Sequence, residues 1–249
     1  MAQFAGAGPS KAEREHRFFL AMAATILTLT VIGFAPSYYL RAFIAPPHPM
    51  EPLNPLVHLH GLVFSAWVIL FMVQAGLISA GKRHIHRQLG LLGMLLVAIM
   101  IPLAIAVGIA GIDRPLTAPP GIDPLSWAAL PLLDVPVFGG LMIAALAMRH
   151  RSDVHKRLML VAMIDMVQPS AGRLIGMSGV PGEAVGPLSG LVVLLLLIVL
   201  IVRDWLVTRR FHPAAIIGSA IVVARIVLTP VIWSTPAWMD FARWLSGAG

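Results

Sequence analysis

Leu158-Met159-Leu160-Val161-Ala162-Met163-Ile164-Asp165-Met166-Val167-Gln168-Pro169-Ser170-Ala171-Gly172-Arg173-Leu174-Ile175-Gly176 is the stretch on which the fold turns. A helix that spans a bilayer needs about 20 mostly apolar residues. This stretch has the length, but Asp165, Gln168, Pro169 and Arg173 interrupt it. Counted as spanning, it is the fifth of seven helices. Counted as re-entrant, it leaves six.

The other six segments are more uniform. They cover residues 18–43, 56–79, 89–112, 127–148, 185–202 and 213–234. The chain is 58% hydrophobic and 12% charged, with a mean hydropathy of +0.87. A soluble domain of this size needs more charge to cover its surface, so the composition points to lipid. A net charge of +7 would fit a nucleic-acid binder if the cations formed one patch. They sit instead in short segments between apolar runs, which argues against nucleic acid. The absence of cysteine excludes disulfides, thiolate metal sites and cysteine nucleophiles.

Charge also sets the expected count and orientation. Lys11, Arg14 and Arg17 precede the first run, and Lys82, Arg83 and Arg87 lie between the second and third. Arg149, Arg151, Lys156 and Arg157 follow the fourth, and Arg203, Arg209 and Arg210 follow the sixth. All four clusters share one side only if the fifth segment spans. The positive-inside rule then puts them, and the N-terminus, in the cytoplasm, with the C-terminus outside. The expected fold is an all-α membrane protein, a bundle of seven transmembrane helices. Residues 1–17 form a cytoplasmic segment, 18–234 the bundle, and 235–249 an outer interfacial helix and tail. The first run is too long for a signal h-region, so it is expected to stay as an uncleaved helix.

The outer connections Ala45-Pro46-Pro47-His48-Pro49 and Ala118-Pro119-Pro120-Gly121 should be stiff and irregular. Thr235-Pro236 has the chemistry of an N-cap followed by an N1 proline. Trp238, Phe241, Trp244 and Leu245 then recur at helical spacing, as in a helix lying at headgroup depth.

Four ionisable residues fall inside the apolar runs: Asp134, Asp165, Arg173 and Arg225. Such groups are expensive in lipid and mark sites or pairs. Asp134 lies nineteen residues before Asp153, the centre of the basic loop, and Arg173 twenty after it. Equal depth on an antiparallel hairpin predicts an Asp134–Arg173 salt bridge. Asp165, Gln168 and Arg173 share one helix face, about 12 Å long, and Arg225 is placed to reach Asp165. Structural ion pairs and a polar cavity for an anionic or quinone-like headgroup are both consistent with this set. Pro131 and Pro136 beside Asp134 free carbonyls that a ligand or water can use.

Nine histidines are many for so apolar a chain. His58-Leu59-His60-Gly61 opens the second run, with His48 before it. His84-Ile85-His86-Arg87 opens the third, and His150 and His155 bracket the fourth loop. No His-x-x-x-His pair is present to support a zinc site, and no Glu-x-x-His pair lies within an apolar run to support a di-iron site. A bis-histidine haem b needs one histidine on each of two helices at matching depth, which His86 and His155 satisfy. The competing reading makes them interfacial anchors. His60 lies in line with Phe64, Trp67, Phe71 and Gln74, a stripe that should face other helices, and His60 is a candidate site residue placed to close an outer cavity near Asp134 and Arg173.

Gly33-Phe34-Ala35-Pro36-Ser37-Tyr38-Tyr39-Leu40-Arg41, His58-Leu59-His60-Gly61, His86-Arg87-Gln88-Leu89-Gly90 and His155-Lys156-Arg157-Leu158-Met159-Leu160 together resemble a widespread group of bacterial multi-pass inner-membrane proteins. The resemblance implies a helical bundle in the inner membrane and assigns no activity. The histidine-arginine helix starts are loosely similar to cytochrome b561-like haem-binding families, whose paired intramembrane histidines this sequence lacks.

Three functions follow as expectations. One is a non-catalytic accessory or interaction subunit of a larger membrane complex, with the lipid bilayer and other subunits as partners. Another is a haem b or quinone-associated redox protein using His86, His155 or His60. The third is a small-molecule binder or transporter built on Asp134, Asp165, Gln168, Arg173, Arg225 and His60. No serine nucleophile elbow and no phosphate-binding glycine loop is present.

Overall fold

Prolines and short polar side chains decide where these helices start. Pro55, Pro124, Pro213 and Pro236 each stand at the first helical position, where a missing N–H costs nothing. The side chains of Asn54, Asp123, His212 and Thr235 just before them accept a hydrogen bond from a backbone N–H in the first turn. Ser10 and Glu13 close a reciprocal capping box at the first helix.

The computed structural model describes residues 10–44, 49–119 and 121–247. Among them the chain forms ten α-helices and no strand. Helix α1 (Lys11–Phe34) runs on into a wide π turn, Ala35–Tyr39. Next come α2 (Pro55–Ser79), α3 (Arg83–Ala110), the short α4 (Pro124–Trp127) and α5 (Ala129–Ala147). Helices α6 (Ser152–Asp165) and α7 (Gln168–Gly176) follow, then α8 (Gly182–Thr208), α9 (Pro213–Ile232) and α10 (Pro236–Ser246). Most of the proline-rich connection at 45–49, with His48, lies outside the described residues, as does Pro120.

Seven segments are long and apolar enough to cross a bilayer, and the chain is read as an integral, multi-pass membrane protein. The fifth segment, Ser152–Gly176, is 25 residues long, and length and composition suit it to a crossing. It combines α6 and α7, with one break at Met166 and Val167. Proline explains the break. Pro169 has no N–H to return to the Asp165 carbonyl, so the α-ladder opens one turn ahead of it.

This interrupted helix is the centre of the bundle. In its most apolar window 56% is buried, against 17–33% for the other six spans. Leu160, Val161, Ala162, Met163 and Ile164 are all fully enclosed, so α6 is buried all round. It packs against α1, α5, α8 and α9, while α7 packs against α1 and α8. The stripe on α2 faces inward as expected. Trp67 is buried and its Nε1 donates to Met163 Sδ at 3.0 Å, while His60 stacks on Phe64.

Helix α10 forms where the Thr235-Pro236 cap predicts, but its aromatic face divides. Trp238 turns inward, and its Nε1 donates to the Leu125 carbonyl of α4 at 2.9 Å. Phe241 and Trp244 remain exposed.

Two glycines fix how closely α1 meets its neighbours. A Cβ on Gly33 would lie 2.9 Å from Ser170 Cα on α7, and one on Gly61 would run into the Tyr38 ring. Gly76 faces open space. Gly33→Val should therefore cost about 1–3 kcal/mol through overpacking, read as a lowered unfolding midpoint in detergent. Gly76→Ala should leave that midpoint unchanged or raise it slightly.

Candidate functional site

Helices α5, α6, α7 and α9 bring their polar residues together at mid-span. Arg225, buried on α9, donates from Nη2 to Asp165 Oδ1 at 2.5 Å and from Nη1 to Gln168 Oε1 at 2.6 Å. Its Nε lies 3.4 Å from Asp134 Oδ1 on α5. The break between α6 and α7 is flanked by Asp165 and Gln168, so both meet the same guanidinium. The expected contact of Arg225 with Asp165 is formed.

The expected Asp134–Arg173 salt bridge is not. Equal depth does not fix which way a helix faces. Asp134 stands on α5, which packs on α6 and α9, whereas α7 turns to α1 and α8. Asp134 therefore meets Arg225. Arg173 lies instead over the Phe34 ring, 4.3 Å from its centroid, and donates from Nη1 to the Pro169 carbonyl at 3.0 Å. All eleven acidic side chains belong to the described residues, and none pairs with Arg173. It is exposed along the molecular surface.

Arg173 has polar company at that end of the bundle. At that end of α2 the buried Nδ1 of His60 has no hydrogen-bond partner. The His60 ring stacks on Phe64 with 4.0 Å between centroids. In the π turn that follows Phe34, Ser37 is buried and its Oγ is likewise unpartnered. Tyr38 and Tyr39 of the same turn reach α2, through the His58 carbonyl at 3.1 Å and Ser65 Oγ at 2.7 Å. Wide π turns of this kind often occur at functional positions.

The opposite end of the bundle holds a network that the sequence reading missed. Arg157 at the start of α6 makes a bidentate pair with Asp204 near the end of α8, at 2.6 and 2.8 Å, and both are buried. Arg203 lies 3.2 Å from Asp204 and 3.9 Å from Glu15 of α1, which also pairs with Lys156. Asp204 was the available signal. It stands two residues beyond the apolar run that ends at 202, inside a helix that continues to Thr208. These cations tie α1, α6 and α8 together.

The two histidines matched for haem b lie at this same basic end. His155 Nδ1 is engaged with the Ala145 carbonyl at 2.8 Å. The His86 carbonyl accepts from Gln74 Nε2 at 3.2 Å, and His86 Nδ1 is buried without a partner. Among the described residues no group of three His, Asp or Glu side chains is arranged to hold a metal ion.

The central and peripheral arginines should separate cleanly on mutation. Arg225→Ala strands the buried Asp165 and leaves the half-buried Asp134 unpaired, and should cost about 3–5 kcal/mol. Arg173→Ala leaves no charge behind and should stay within about 1 kcal/mol. Denaturant unfolding of the purified chain in mixed micelles measures both. No protein-family model, curated protein or solved structure matches the chain, so these residues alone carry the functional reading.

Proposed function

We propose that this integral membrane protein is a binding protein of a bacterial cytoplasmic membrane, holding a small molecule in the half of the bilayer away from its basic helix ends. Arg173 is the observation that carries this reading: a guanidinium within a spanning segment that has no carboxylate partner. A charge kept in that position without a partner is a site by default. Phe34 of α1 covers its face, and in the turn that follows and at the start of α2, Ser37 and His60 hold buried polar atoms without a hydrogen-bond partner. The Asp134–Arg225–Asp165 cluster serves as the fixed polar core beneath that site.

In the same reading the basic end faces the cytoplasm. Lys82, Arg83, Arg87, Lys156, Arg157 and Arg203 stand at or beside helix ends or in the loops between them. The likeness of the His58–Gly61, His86–Gly90 and His155–Leu160 motifs to bacterial inner-membrane proteins agrees with that placement. A role as an accessory subunit of a larger complex is the second reading, favoured by one feature. A groove of about 190 Å³ between α8 and α9, lined by Pro187, Gly190, Leu194, Val223 and Ile226, opens on the lipid-facing surface. Small residues let another helix approach closely in such a groove.

The absence of cysteine makes the orientation simple to test. Ser246→Cys should react with a membrane-impermeant maleimide on intact cells, and Gly81→Cys only after lysis; the reverse pattern overturns N-in, C-out. Optical spectra address the redox alternative. A binding protein centred on Arg173 predicts no haem band in oxidised-minus-reduced spectra of protein made with haem available. A band abolished by His86→Ala or His155→Ala would replace this reading.

A further inference from the structure

We propose that Arg173 receives the anionic head of an amphiphile, a phosphate or a carboxylate, whose hydrocarbon part stays on the lipid-facing surface beside it. This inference rests on the reading of the α1–α2–α7 cluster as a binding site and names its ligand class.

Charge comes first. Every acidic side chain of the protein has a described position, and none of them neutralises Arg173. The residues outside the described stretches include no Asp or Glu. A cationic ligand has nothing to pair with in this cluster, and an anion does.

Geometry comes next. A guanidinium carries its five N–H donors around its edge, in plane. Stacking on Phe34 covers its face, and the Pro169 carbonyl takes one donor. The remaining edge is free for the bidentate contact that carboxylates and phosphates accept.

Depth and surroundings favour a head attached to a hydrocarbon chain. Arg173 lies three residues before the end of α7 at Gly176, about 5 Å along the axis at 1.5 Å per residue. That is where headgroups meet the hydrocarbon. Ile32 and Val31, two and three residues before Phe34 on α1, are exposed apolar residues suited to an acyl chain.

The test uses the full chain, purified in neutral detergent, with native mass spectrometry and thermal shift as readouts. The probes are phosphatidylglycerol, oleate, glycerol 3-phosphate and the neutral decylubiquinone. Phosphatidylglycerol or oleate should bind, and Arg173→Gln should weaken that binding about tenfold, the loss of a charge-assisted pair. Arg173→Lys, which keeps the charge without the fork, should fall between, and it carries the test if the glutamine variant does not fold. Binding of the two amphiphiles without glycerol 3-phosphate assigns the source to lipid; glycerol 3-phosphate binding as tightly shows that the head alone suffices and overturns the part assigned to the chain. Equal affinity of wild type and both variants for the anionic amphiphiles overturns the inference. Arg173-dependent binding of decylubiquinone alone overturns it too, but leaves the binding-site reading standing. If no probe binds, both fall.

Discussion

A buried arginine on α9 has to be met by anions from its neighbours, and that requirement organises the bundle. Arg225 lies among apolar helices, where an unpaired charge is costly enough to unfold a membrane protein of ordinary stability. Its partners come from two directions, Asp134 on α5 and Asp165 with Gln168 on the central helix. Three spans are thereby fixed in rotation as well as in depth. Apolar packing alone does this poorly in lipid, because hydrocarbon chains compete equally well for a leucine surface.

The break at Met166 and Val167 follows from the same requirement. A straight helix would place Asp165 and Gln168 on one face with the ladder intact between them. Pro169 opens the ladder, and α7 then leaves α5 and turns toward α1 and α8. One proline thus separates two chemistries that adjoin in sequence. Asp165 and Gln168 face a closed ion-pair core, while Arg173 faces α1 and the bundle surface. Gly33 completes the arrangement by letting α1 touch the Ser170 backbone, which brings Phe34 within stacking distance of Arg173.

Much of this was legible in the sequence, and the part that was not has a physical reason. Lipid demands about 20 apolar residues per crossing, so seven spans could be counted before any coordinates. The Thr235-Pro236 cap announced α10 because its hydrogen bond is local. The Asp165–Arg225 pair was readable from depth and opposite charge. Asp134–Arg173 failed because depth carries no information about rotation, and the rotation of α7 is set by contacts between helices distant in sequence. Asp204 was missed for another reason. A hydropathy run stops at the first charges, and α8 carries its charges inward where Arg157 and Arg203 receive them. The orphaned atoms of His60 and Ser37 also could not be foreseen, since an absent partner is a property of the whole packing.

The two ends of the bundle treat their arginines in opposite ways. At the basic end Arg157 and Arg203 share Asp204, and Glu15 draws Lys156 and α1 into the same knot. Every one of those bonds uses up a donor that an anionic headgroup would otherwise take. At the other end Arg173 gives its face to Phe34 and one N–H to Pro169, and keeps the rest. A purely structural arginine at that position would be better served by a carboxylate on α1, which packs against α7. What α1 supplies is an aromatic ring, which covers the guanidinium without neutralising it. Holding a charge in place while leaving it uncompensated is how a protein keeps a binding surface ready, and it is this difference that separates Arg173 from the other paired arginines of the bundle.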